Sequence, residues 1–92
     1  MERHELVEKV RRELERYEHP LFAFSAEPAG ERIEVEIRFK PPGVDVHRYR
    51  FQLLPREIET SQFPWNFQRQ LYDCLHDYVV EMFNRNPQMK EY

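Results

Sequence analysis

The chain has 92 residues, of which 40% are hydrophobic and 34% charged, and this length suffices for one domain with one core. The formal net charge of −3 argues against a general nucleic-acid-binding protein, whose affinity comes from neutralising phosphates. The chain has a single cysteine, Cys74, which excludes an internal disulfide. We find no signal-peptide segment and no apolar run near about 18 residues. These patterns predict a cytoplasmic protein that does not enter a membrane.

The first segment predicts an amphipathic helix. Its apolar residues recur at helical spacing among charged ones, and they are Leu6, Val7, Val10, Leu14 and Tyr17. Pro20 disfavours helical geometry at the residue before it. We therefore expect this helix to end near Glu18.

Three segments that alternate apolar and polar residues predict an antiparallel meander. The apolar positions, which we place on the buried face, are Phe22, Phe24 and Ala26, then Ile33, Val35, Ile37 and Phe39, then Tyr49, Phe51 and Leu53. A turn at 28–31 joins the first two strands. The sequence PPG at 41–43 separates the second strand from the third, because proline cannot donate a ladder hydrogen bond.

Charged residues on the opposite face predict the register of the second hairpin. Glu36 facing Arg48 would form a complementary cross-strand pair. The same register places Glu34 opposite Arg50. A shift by two residues would place Arg38 opposite Arg48, which is repulsive, so we expect the first register.

The last helix is predicted from about Pro64 to about Arg85, after a polar connection at 55–62. One arc of about 100° would cover the sheet, and it contains Phe67, Leu71, Cys74, Leu75, Tyr78 and Met82. A second apolar stripe lies to one side of this arc and contains Trp65, Tyr72, Val79 and Phe83. Two interpretations of this stripe are open: packing on the first helix within the chain, or contact with another protein, most simply a second copy.

The order helix, strand, strand, strand, helix predicts an α+β domain over residues 1–86, followed by a flexible C-terminal tail at 87–92. Both helices are expected on the apolar face of the three-stranded antiparallel sheet. This order resembles that of double-stranded RNA-binding domains, which contact phosphates with a lysine-rich start of their last helix. Here that region is SQFPWNFQRQ, and Arg69 is its only cation.

The same order also resembles small ribonuclease toxins, whose chemistry requires a positioned histidine. The candidate is His47, which we place on the third strand, on its core-facing side near the hairpin end. The sequence shows no acid–base group paired with His47, so we expect a structural role for it.

Two further groups are candidates for chemistry on the last helix. Asp73, His76 and Asp77 have the spacing of a metal cluster but lack a further ligand nearby, so we expect a solvated face and no metal. Cys74 is expected to be a packing residue, because the neighbouring aspartates disfavour a thiolate.

These patterns predict a small cytoplasmic protein-interaction module without catalysis, cofactor or metal. Its partner is expected to be another protein or a second copy in a homodimer, bound through Trp65, Tyr72, Val79 and Phe83. Nucleic acid is the less expected partner, and no membrane is expected. The alternative is an RNA-binding or RNA-cleaving domain with the topology of double-stranded RNA-binding domains.

Overall fold

Helices cover one face of a three-stranded antiparallel sheet in the computed structural model, which describes residues 2–43 and 46–85. The elements in chain order are α1 (Arg3–Leu14), β1 (Phe22–Ala29), β2 (Arg32–Phe39), β3 (Tyr49–Leu53), α2 (Pro55–Ile58) and α3 (Phe63–Arg85). The sheet order is β1-β2-β3. The predicted α+β class and the order of the five predicted elements are confirmed, and α2 is an additional short helix. The predicted tail at 87–92 lies outside the described residues.

The central strand β2 supplies the middle of the core. Its inward side chains Ile33, Val35 and Ile37 are each 0% exposed, because alternate residues of a strand point to the same face. The inward residues of the outer strands are buried or packed against this core, and they are Phe22, Phe24, Ala26, Tyr49, Phe51 and Leu53. The predicted inward positions are thus confirmed on all three strands.

The register of the β2–β3 hairpin differs by two residues from the predicted one. Glu36 pairs with Arg50 and Glu34 with Gln52, so the predicted register is wrong. A shift of two residues leaves the same side chains inward, and therefore the inward pattern could not distinguish the two registers. In the observed register Leu53 pairs with Ile33 and is 1% exposed, whereas the predicted register would carry Leu53 past the start of β2.

Charge pairing across this hairpin is diagonal rather than direct. Arg48 precedes β3, and its Nη1 lies 3.1 Å from Oε1 of Glu36. The predicted attraction between these two side chains therefore forms without placing them opposite each other in the ladder. Burial of an apolar side chain stabilises the fold more than a charge pair in which Arg48 is 56% exposed, which explains why Leu53 decides the register.

α1 packs its apolar stripe on the sheet and ends at Leu14, four residues before the predicted end near Glu18. The backbone N–H groups of Arg16 and Tyr17 bond to carbonyls three residues back, which tightens and ends the last turn. Arg11 covers the outer edge of β1, because its Nε donates to the backbone oxygen of Ala26 at 3.0 Å.

The segment predicted as a polar connection contains α2, whose Ile58 is 0% exposed. Pro55 occupies the first turn, where a missing N–H costs nothing, and the Glu57 carboxylate accepts the backbone N–H of Leu54 at 2.8 Å. Lys9 of α1 donates from Nζ to the backbone oxygen of Ile58 at 2.6 Å. A helix of four residues with one apolar side chain has no periodicity, so the sequence pattern did not reveal it.

Candidate functional site: the outer stripe of α3

α3 has 23 residues and is therefore about 34 Å long. The arc predicted to cover the sheet is buried at Phe67, Leu71, Tyr78 and Met82 and half-buried at Cys74 and Leu75. This part of the prediction is confirmed. The residues beyond this arc decide what else the helix can bind.

The four residues of the second stripe differ in burial. Trp65 is 65% exposed and Tyr72 is 53% exposed, while Val79 and Phe83 are half-buried. Val79 packs against the core. Internal packing thus accounts for part of the stripe, and the two aromatic side chains nearer the start of α3 present most of their apolar surface to solvent.

Tyr17, which follows α1, is the link between the first helix and the stripe. Its ring lies edge-to-face with Tyr72 at 6.0 Å between centroids and with Phe67 at 6.3 Å. Burial raises the pKa of Tyr17, and the nearby Glu13 carboxylate adds to the effect. Tyr17 is therefore a neutral phenol at neutral pH, and it supports one edge of the Tyr72 ring while leaving the rest exposed.

A hollow of about 170 Å³ opens beside Tyr72. It lies between the segment that follows α1, the inner side of β1 and α3, and its apolar lining is Tyr17, Phe24, Leu71, Tyr72 and Leu75. Small-molecule pockets usually measure at least about 300 Å³. The hollow has instead the dimensions for one inserted side chain.

The flank of the stripe carries both signs of charge. Arg69 and Asp73 are exposed, four residues apart, and at 100° per residue they lie on the same side of the stripe. His76 and Asp77, which with Asp73 formed the candidate metal cluster, are also exposed. Within residues 2–43 and 46–85, no group of three or more His, Cys, Asp or Glu side chains is close enough together to hold a metal ion.

A second polar group lies where the chain enters β3. Nε2 of His47 is 2.7 Å from Oε2 of Glu81 on α3, and the hydroxyl of Tyr78 donates to the backbone oxygen of His47 at 2.5 Å. The prediction that His47 lies on the third strand is wrong, because β3 begins at Tyr49. Its predicted core-facing orientation is confirmed, since its side chain is only 24% exposed and contacts α3. Glu81 was not predicted as the partner of His47. This carboxylate lies at the edge of the sheet-facing arc of α3, three residues after Tyr78, and its side chain is 41% exposed, so no local pattern distinguishes it from a solvated residue.

Tyr49 of β3 faces Cys74 of α3, and the two side chains interact. Burial raises the pKa of Tyr49 to about 12. Burial also raises the pKa of the Cys74 thiol, and the carboxylates of Asp77 and Asp73 raise it further. The predicted effect of these aspartates is confirmed, and the thiol stays protonated at neutral pH.

Comparison with known proteins gives no match: no protein-family model, no curated protein and no solved structure resembles this chain closely enough to be assigned. No helix in the described part of the chain combines the length and the apolar character that a membrane span requires.

Proposed function

We propose that the protein is a small, non-catalytic, cytoplasmic protein-interaction module that docks through the stripe formed by Trp65, Tyr72, Val79 and Phe83. The exposure of Trp65 and Tyr72, at 65% and 53%, carries the proposal. Tryptophan and tyrosine are the side chains most enriched among interface anchors. Exposed apolar patches on soluble domains commonly mark interaction sites.

The charges near the stripe favour a protein as the partner. The formal net charge is −3, which disfavours anionic lipid and phosphate surfaces. The flank presents Arg69 beside Asp73, and a polar rim of mixed sign around an aromatic centre is typical of protein interfaces. The protonated Cys74 thiol supports a role without nucleophilic chemistry.

Photo-crosslinking at position 72 tests the proposal without knowledge of the partner. The photo-reactive amino acid p-benzoylphenylalanine replaces Tyr72 in the full chain, and the cells that produce it are irradiated. We expect a covalent adduct with a protein, which Trp65→Asp in the same chain abolishes. Because Trp65 is 65% exposed, this change leaves the fold intact.

Position 38 provides the control. Arg38 is exposed on β2 and points to the outward face of the sheet, opposite the face that the helices cover. The photo-reactive residue at this position is expected to give no specific adduct. Equal adducts at positions 72 and 38, or none at either, would refute the proposed docking surface.

The contact between His47 and Glu81 favours a second candidate function, RNA cleavage. Their separation of 2.7 Å supplies the oriented histidine that general acid–base chemistry needs. The test measures cleavage of single- and double-stranded RNA by the native chain and by His47→Ala. Cleavage that disappears in the variant would support this candidate, and an inactive native chain that also fails to bind duplex RNA at low salt would eliminate it.

A further inference from the structure

We infer that the partner of the α3 stripe is a second copy of this chain, bound antiparallel along α3 about a two-fold axis near Tyr72. The inference rests on the proposed docking surface and names its occupant. Three features support it: a projecting ring beside a hollow, a symmetric spacing of large and small side chains, and a charge pattern that selects one orientation.

The projecting ring and the hollow belong to the same surface. Tyr72 is 53% exposed, and it forms one wall of the hollow of about 170 Å³ that Tyr17 and Leu75 also line. A two-fold axis beside Tyr72 therefore brings the Tyr72 ring of each copy to the hollow of the other. One symmetric contact buries both exposed rings and fills both hollows.

The spacing of the stripe is symmetric about Tyr72. Trp65 lies seven residues before it and Val79 seven residues after it. In an antiparallel pair centred on Tyr72, each Trp65 meets Val79 of the other copy, so a large exposed ring packs on a small half-buried side chain. A parallel pair would instead place the two Trp65 rings against each other and leave unfilled space between the two Val79 side chains.

The flanking charges select the antiparallel orientation. Arg69 and Asp73 are exposed on one side of the stripe, and the midpoint between them lies within one residue of Tyr72. In the antiparallel pair, Arg69 of each copy therefore lies near Asp73 of the other, which gives two complementary pairs by symmetry. A parallel pair would place the two Arg69–Asp73 flanks on opposite sides of the contact, so neither complementary pair would form.

Sedimentation of the purified full chain over a concentration series tests the identity of the partner. We expect a reversible dimer for the native chain and for Arg38→Asp, which changes an exposed residue on the outward face of the sheet, and a monomer for Tyr72→Asp. Circular dichroism confirms that each variant is folded. A native chain that stays monomeric up to ~100 µM, or a dimer that Tyr72→Asp leaves unchanged, would overturn the inference.

Charge reversal tests the orientation. Arg69→Asp and Asp73→Arg, each alone, place like charges together at both ends of the central contact, and we expect each to raise the dimer Kd about tenfold. The double variant R69D/D73R restores both pairs and is expected to return the Kd to the native range. Equal Kd values for all four chains would refute the antiparallel arrangement.

The two proposals fail in distinguishable ways. A monomeric native chain together with a position-72 adduct to a different protein would overturn the second-copy inference and leave the docking surface standing. A monomeric native chain with no specific adduct at position 72 would overturn both.

Discussion

Nε2 of His47 lies 2.7 Å from Oε2 of Glu81, and this contact joins the segment before β3 to the last third of α3 across 34 positions of the chain. The hydroxyl of Tyr78 donates to the backbone of the same histidine, so two side chains of α3 hold one residue. Both contacts lie next to the short strand β3, which has only five residues. They stabilise the entry of the chain into the sheet.

Removal of the Glu81 carboxylate is expected to destabilise the fold modestly. The Glu81 side chain is 41% exposed, and solvent screening therefore limits the loss for Glu81→Ala to about 0.5–1 kcal/mol. A double-mutant cycle with His47→Ala, measured by urea denaturation, isolates the pair. Additive effects of the two substitutions would show that the contact contributes nothing to stability.

Alkaline pH is expected to destabilise the protein through Tyr49. Its pKa is raised to about 12, chiefly by burial, from an ordinary value near 10. The folded state therefore favours the neutral phenol. This contribution to stability is fully present below pH ~10 and is lost as the pH rises through ~12.

Denaturation curves for the native chain and Tyr49→Phe between pH 8 and pH ~12 measure this effect. Tyr17 and Tyr78, whose pKa values are also raised by burial, remain in both proteins and cancel in the difference, which therefore reports Tyr49 together with its contact to Cys74. We expect the native chain to lose stability relative to Tyr49→Phe above pH ~10. Parallel curves would contradict the prediction.

Truncation at the centre of the sheet is expected to be costly. Ile37 is 0% exposed and lies on β2 between both outer strands. Ile37→Ala should lower the free energy of unfolding by about 2–5 kcal/mol, because it removes buried methyl groups and leaves a cavity. The control is Val80→Ala on the exposed side of α3, where we expect a change within about 0.5 kcal/mol. A loss below about 1 kcal/mol for Ile37→Ala would contradict its central position in the core.

The contact of Lys9 with α2 provides a fourth test. Its Nζ donates to the backbone oxygen of Ile58 at 2.6 Å and lies 5.5 Å from the centroid of the Phe63 ring. Lys9→Met retains most of the side-chain stem but loses both interactions, and we expect a loss of about 1–2 kcal/mol in thermal or urea unfolding. Arg12→Met, at an exposed position of the same helix, is the matched control and should change stability little. Equal effects of the two substitutions would show that the contact is dispensable.

The sequence by itself determined the order of the predicted elements, the inward residues of every strand and the buried arc of α3. These features follow from local periodicity. Strand alternation points Val35 inward, and helical spacing places Leu71 and Phe67 on the same buried face of α3. They need no information about distant parts of the chain.

The tertiary structure alone decided the register of the second hairpin. A two-residue shift preserves the inward pattern, the cross-strand charges favoured the other register, and the burial of Leu53 opposite Ile33 outweighs them. The tertiary structure also decided the partners that lie far apart in sequence, such as Glu81 for His47. The stripe of α3 shows both levels. Its spacing is visible in the sequence. The exposure of Tyr72 beside a hollow, in contrast, depends on the position of Tyr17 after α1. Such packing between distant segments leaves no local periodic signal in the sequence.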